Sequence, residues 1–208
     1  MVRIFVPDYV IEDVQWLTPA VLAAMGIRGL LLDIDCTLKP YRAVGVSPAV
    51  RHWAETLRQD GVGMYLVSNA RGKRVEPIAA DLALPWIAPA WKPLPFALWW
   101  AIRKLRQSPK AVAMVGDQIF ADVLAARLAG VRSILVRPIL PGEEPWWSRW
   151  KRPLERLVLG ADTRLVGKAG AGFPGAQGNL QDISRREAGQ EERREDTANQ
   201  NSCLRADL

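Results

Sequence analysis

The stretch Arg28-Gly29-Leu30-Leu31-Leu32-Asp33-Ile34-Asp35-Cys36-Thr37-Leu38 is an apolar run that stops abruptly at two carboxylates and a hydroxyl. A short apolar run bounded by polar residues reads as a strand buried on both faces, as in a parallel sheet covered by helices. Ligands of open α/β sheets bind beyond the carboxyl ends of the strands, and that is where Asp33 and Asp35 stand. Alternation along an extended chain points both acids to one side, with Ile34 facing away. Two like charges that close call for a cation, a shared proton or both.

The same pattern recurs along the chain. Val62 to Val67 is a second buried strand, ending in Ser68-Asn69-Ala70-Arg71. Trp86 to Ala88 is a short third, Ala111 to Val115 a fourth that ends in Gly116-Asp117, and Ser133 to Val136 a fifth. Helices are predicted between them. Thr18-Pro19 and Ser47-Pro48 pair an N-cap with proline at the first helical position, and Gly26 and Gly61 serve as stops. Further helices are expected over Lys73 to Leu82, Phe96 to Arg106 and Ile119 to Ala129. Five strands alternating with helices predict a doubly wound α/β sandwich with a five-stranded parallel sheet in three layers.

Composition sets the outer bounds. The 208 residues suit one α/β domain, expected over 1–160. From 161 to 208 the chain turns to Gly, Ala, Gln, Arg and Glu, too poor in apolar residues to offset ordering entropy, so a disordered polar tail is expected there. The net charge of +6 favours acidic partners such as phosphorylated substrates or an anionic membrane surface. No RNA-binding motif accompanies it, so nucleic acid is not expected. Two cysteines without zinc spacing fit a reducing compartment. No window approaches the roughly 18 apolar residues of a spanning helix. The expected location is cytoplasmic, with a peripheral membrane contact through Trp146, Trp147 and Trp150, which alternate with Arg149, Lys151 and Arg152.

The residue types at the strand ends meet the needs of phosphoryl transfer through an aspartyl phosphate. A carboxylate nucleophile approaching a phosphoryl group needs Mg²⁺ and fixed cations to offset the charge. Asp33 can attack, and Asp35 can protonate the leaving alcohol and later activate water. Thr37 can orient the Asp35 carboxylate beside the phosphate. Ser68 and Asn69 can hydrogen-bond phosphate oxygens, Lys92 can offset charge, and Asp117 can complete an oxygen-rich Mg²⁺ site.

Asp33-Ile34-Asp35-Cys36-Thr37, Ser68, Lys92 and Gly116-Asp117 followed by Asp122 resemble the four ordered motifs of the haloacid dehalogenase (HAD) superfamily of phosphatases. Val67-Ser68-Asn69, Trp91-Lys92-Pro93 and the run from Val115 to Leu124 resemble, more narrowly, its YqeG branch, subclass IIIA. The resemblance implies Mg²⁺ held by Asp33, the backbone carbonyl of Asp35, and Asp117. Asp122 would be the second acid of the fourth motif, in the outer shell of the metal or paired with Lys92. It also implies phosphatidylglycerophosphate as substrate, with a small soluble phosphate ester as the alternative. A different class, a non-catalytic Mg²⁺-binding partner of a GTPase or ribosome, is disfavoured by the intact Asp33 and Asp35. No long insert separates the motifs, so no cap domain is expected. Cys36 departs from the pattern, standing where many relatives carry Asn.

Overall fold

A computed structural model of the chain describes residues 2–139. The domain boundary at 160, the tryptophans Trp146, Trp147 and Trp150, and the tail over 161–208 lie outside the described residues.

Six strands form one parallel sheet: β1 (Tyr9–Ile11), β2 (Gly29–Leu32), β3 (Gly63–Val67), β4 (Trp86–Ile87), β5 (Val112–Gly116) and β6 (Arg132–Val136). Their order is β1-β6-β5-β2-β3-β4. β2 is therefore central, and the chain leaves it toward β3 on one side and returns to β5 on the other. The carboxyl end of β2 is the switch point of the topology, where a doubly wound sheet opens a crevice.

The expected parallel architecture stands, with one strand more than anticipated. β1 pairs with β6 through Tyr9↔Ile134, Val10↔Leu135 and Ile11↔Val136, and Ser133 donates its backbone N–H (2.8 Å) and hydroxyl (2.9 Å) to Asp8 Oδ2. Three residues carry little periodicity, and the partners that hold them extended lie far along the chain.

Helices α1 (Pro19–Ala24) and α2 (Pro48–Gln59) begin as the sequence predicts. The Thr18 hydroxyl accepts from Val21 N at 3.3 Å and the Ser47 hydroxyl from Val50 N at 3.2 Å. α3 (Gly72–Leu82), α4 (Phe96–Leu105) and α5 (Leu124–Ala129) complete the set. Leu31 of β2, Tyr65 and Val67 of β3, and Val112 and Met114 of β5 share one face of the sheet and pack with Leu98 and Ala101 of α4 and Ala125 of α5. Leu30, Leu32 and Leu66 alternate to the opposite face and are fully buried, so that face is covered as well. Each fully buried leucine contributes on the order of 2 kcal/mol, and the two covered faces fix the strand ends that carry the polar residues.

The helix expected over Ile119 to Ala129 is not uniform. Ile119–Val123 is a π-helical turn that leads into α5. Such turns cluster at functional sites, and this one carries Asp122. No helix among the described residues is long and apolar enough to cross a membrane.

Candidate active site

The site assembles from the carboxyl ends of β2, β3 and β5 and the loop after β4. The backbone N–H of Asp33 donates to Val115 O at 2.9 Å, which extends the β2–β5 pairing one residue beyond the strand and sets Asp33 beside Asp117. The chain then tightens: Leu38 N donates to Ile34 O at 2.9 Å and Cys36 N to Lys39 O at 2.8 Å, with Cys36 in the left-handed region at φ 63°. Asn tolerates that conformation better than most side chains, so Cys36 occupies a backbone position at which Asn would be less strained.

Lys92 is the hub. Its Nζ lies 2.7 Å from Asp33 Oδ1 and 2.7 Å from Asp122 Oδ1, and its side chain is 2% exposed. Burial lowers the affinity of Lys92 for its proton, but the charges of Asp122 and Asp33 outweigh it and hold the group above the usual lysine range, so it is cationic. One ammonium does not neutralise the carboxylates around it. Oxygens of Asp33, Asp117 and Asp122, all buried, lie within 4.8 Å of one another. Burial first, then the charges of Asp122 and Asp35, push Asp33 up to about 6 against the pull of Lys92. A buried acidic group with excess negative charge is suited to a hard divalent cation.

Asp122 is held at both oxygens, Oδ1 by Lys92 and Oδ2 by Gln118 N at 3.0 Å. Of the two places expected for Asp122, beside the metal or beside Lys92, the structure shows the contact with Lys92. Gly116 is required for the packing: a Cβ there would stand 2.2 Å from Asp122 Cγ.

Ser68 is buried at the end of β3, and its hydroxyl accepts from Ala70 N at 3.2 Å. Asn69, expected at the phosphate, is held against the loop that carries Lys92. Its Nδ2 donates to Lys92 O at 2.9 Å and its Oδ1 accepts from Lys92 N at 2.7 Å, so the amide clamps the Lys92 backbone. Thr37 is fully buried, and its hydroxyl has no hydrogen-bond partner among the described residues, so no bond from it orients Asp35.

Two cations that the sequence reading passed over orient Asp35 instead. Lys39 Nζ lies 3.0 Å and Arg74 Nη2 2.9 Å from Asp35 Oδ1. Lys39 is 1% exposed and also donates to the carbonyls of Pro40 (3.2 Å) and Tyr41 (3.3 Å). Arg74 donates to Tyr41 O as well and stacks 4.2 Å from the Tyr41 ring centroid. The available signal was Lys39 four residues after Asp35, directly behind the buried Leu38. Arg74, in the first turn of α3, carried no sequence cue of its own.

The family model described as HAD-hydrolase-like matches residues 90–138, which contain Lys92, Asp117 and Asp122. The chain is 29% identical over 159 residues to a Bacillus subtilis (strain 168) protein named probable phosphatase YqeG, covering 76% of this chain and 92% of that protein. It is 30% identical over 120 residues to a phosphoglycolate phosphatase of Pseudomonas putida (KT2440), covering 53% of this chain and 44% of that one. It is 22% identical over 162 residues to the Arabidopsis thaliana protein named phosphatidylglycerophosphate phosphatase 1, chloroplastic/mitochondrial, covering 74% of this chain and 47% of that protein. The chain thus spans less than half the length of the last two relatives.

Proposed function

From the premise that the chain belongs to the HAD-like hydrolases and is a phosphatase of phosphoric monoesters, we propose that it is Mg²⁺-dependent and removes the terminal phosphate of phosphatidylglycerophosphate. The observation that carries the chemistry is Lys92 Nζ at 2.7 Å from both Asp33 and Asp122, at the switch point of the sheet.

With Oδ1 engaged by Lys92, the other oxygen of Asp33 attacks phosphorus. The bond from phosphorus to the ester oxygen breaks as Asp35 passes its proton to the leaving alcohol. Asp35 then takes a proton from water, whose oxygen attacks the aspartyl phosphate and frees inorganic phosphate and Asp33. Ser68 and Lys92 receive the phosphoryl oxygens. Asp33, Asp117 and the backbone carbonyl of Asp35 would hold Mg²⁺, which when bound supplies positive charge against the phosphoryl oxygens.

The lipid assignment is supported by the loop that carries Lys92 and the start of α4. Trp91 is 70%, Leu94 49% and Phe96 66% exposed, and they border a cavity of about 560 Å³ shared with Trp86 and Trp100. Contiguous exposed apolar surface beside a charged site marks a place for apolar ligand or membrane. The phosphoglycolate phosphatase relative favours a second reading, a small soluble ester. Phosphate release from phosphatidylglycerophosphate in vesicles, measured with Mg²⁺ against a panel of soluble monoesters, decides between them. Turnover of the lipid, abolished in Asp33→Asn, is expected. Turnover of soluble esters alone would overturn the lipid assignment.

A further inference from the structure

Beyond the acidic site, a second concavity of about 440 Å³ opens between the loop after Asp35 and the start of α3. Its lining includes Lys39, Arg42, Lys73 and Arg74, and no acid. These four cations are not equivalent. The ammonium of Lys39 is engaged by Asp35 Oδ1 and the carbonyls of Pro40 and Tyr41, and Arg74 is held by Asp35 and Tyr41 O. Both act as structure, fixing the pocket wall to the proton-handling carboxylate. Arg42 and Lys73 are exposed and form no ion pair among the described residues. Asp35 compensates Lys39 and Arg74, so the uncompensated charge in the concavity is that of Arg42 and Lys73, which repel one another unless an anion enters.

We propose that this pocket binds a second anionic group of the substrate, separate from the phosphate being cleaved. Lys39 and Arg74 bond Asp35 directly, so an anion on the pocket side of those residues lies one ion-pair layer from the group that protonates the leaving alcohol. The anion therefore belongs to the leaving-group half of the ester. This deepens the phosphatase reading and rests on it. A phosphodiester on the alcohol, as in a phospholipid headgroup, meets the requirement. So does a carboxylate on a small alcohol, and the shared chemistry is an anion carried by the leaving group.

The test compares the full chain with the Arg42→Gln/Lys73→Gln double variant on water-soluble esters, so that membrane binding plays no part. The substrates are glycerol 3-phosphate, the deacylated headgroup in which the leaving glycerol carries a phosphodiester, and a phosphate ester whose alcohol carries a carboxylate. The parent is expected to prefer at least one anion-bearing ester in kcat/KM by about tenfold or more, the worth of one charge-assisted contact. The double variant should lose that preference, mainly through KM, while turnover of glycerol 3-phosphate stays unchanged and reports an intact fold. Preference for the diester alone assigns the pocket to a lipid headgroup. Equal preference for the carboxylate assigns it to small anions generally. A preference that survives in the double variant, or an equal loss on every ester, overturns the proposal.

Vesicle assays separate this outcome from the lipid reading. If the parent ignores the lipid yet shows the soluble preference, the pocket stands and the lipid assignment falls. If it hydrolyses the lipid and the double variant does so equally well, the reverse holds.

Discussion

The ammonium of Lys92 stands 2.7 Å from Oδ1 of Asp122, and both side chains are 2% exposed. Asp122 thereby fixes the direction from which Lys92 reaches Asp33. Replacing one member of a buried ion pair strands the other, at a cost of about 3–5 kcal/mol. Lys92→Met is therefore expected to abolish phosphate release and to lower the melting temperature sharply. Asp122→Asn keeps the shape and leaves Lys92 its bond to Asp33, so a smaller loss is expected. Misplacement of a positioned group costs up to about a hundredfold in kcat. Melting curves and steady-state rates on a soluble monoester check both. An Asp122→Asn protein with parental kcat would remove Asp122 from the positioning of Lys92.

Gly116 gives a steric counterpart to that electrostatic relationship. An added Cβ would stand 2.2 Å from Asp122 Cγ and 2.7 Å from its Cβ, distances that real side chains do not tolerate. Asp122 must move, and with it the bond to Lys92. Gly116→Ala is expected to reduce kcat by an amount similar to Asp122→Asn, with overpacking costing about 1–3 kcal/mol of stability. Combining the two substitutions should cost much less than the sum, because both act on one contact. Additive losses would show that Gly116 acts elsewhere.

Asn69 provides a test of binding against positioning. Its amide bonds the backbone N–H and carbonyl of Lys92 at 2.7 Å and 2.9 Å. A phosphate ligand would affect KM and the affinity for inorganic phosphate; a clamp on the catalytic loop affects kcat. Asn69→Ala is expected to lower kcat while inorganic phosphate inhibits as in the parent, with a loss of stability of about 1–2 kcal/mol for the two bonds. Weakened phosphate inhibition at parental kcat would restore the simpler phosphate contact.

These relationships were unevenly legible in the sequence. Asp33, Ser68 and Asp117 were visible because each ends or follows a buried strand, and the buried-strand pattern is local. The helix starts at Thr18-Pro19 and Ser47-Pro48 were visible for the same reason, since a cap is a contact three residues long. β1 was not, because Tyr9–Ile11 becomes a strand only by pairing with β6, more than a hundred residues later. Lys39 and Arg74 were hidden by their type. A lysine in an irregular loop and an arginine in a first helical turn read as solvated charges, and only the folded chain brings both to Asp35. The two hydrogen bonds between the Asn69 amide and the Lys92 backbone were equally out of reach, because the partners on Lys92 are a backbone N–H and carbonyl that carry no sequence signal.

The excess of negative charge at Asp33 makes a prediction about pH. Burial, with Asp122 and Asp35, pushes its carboxyl up to about 6 from an ordinary 3.8. Between those values the folded protein keeps a proton that the unfolded chain has released. Metal-free stability should therefore fall as pH rises from about 4 to about 6, by on the order of 3 kcal/mol, and remain lower above that window. A divalent cation that binds the ionised carboxylates reverses the loss, so Mg²⁺ should raise the melting temperature more at pH 7 than at pH 4.5. Asp33→Asn removes the charge at nearly constant shape. It is expected to melt higher than the parent at pH 7 without metal, to lose most of this pH dependence, and to release no phosphate. The opposite result, a variant that melts lower at pH 7 with the parental pH slope, would mean that Lys92 neutralises Asp33 fully and that the site carries no surplus charge for a metal to relieve.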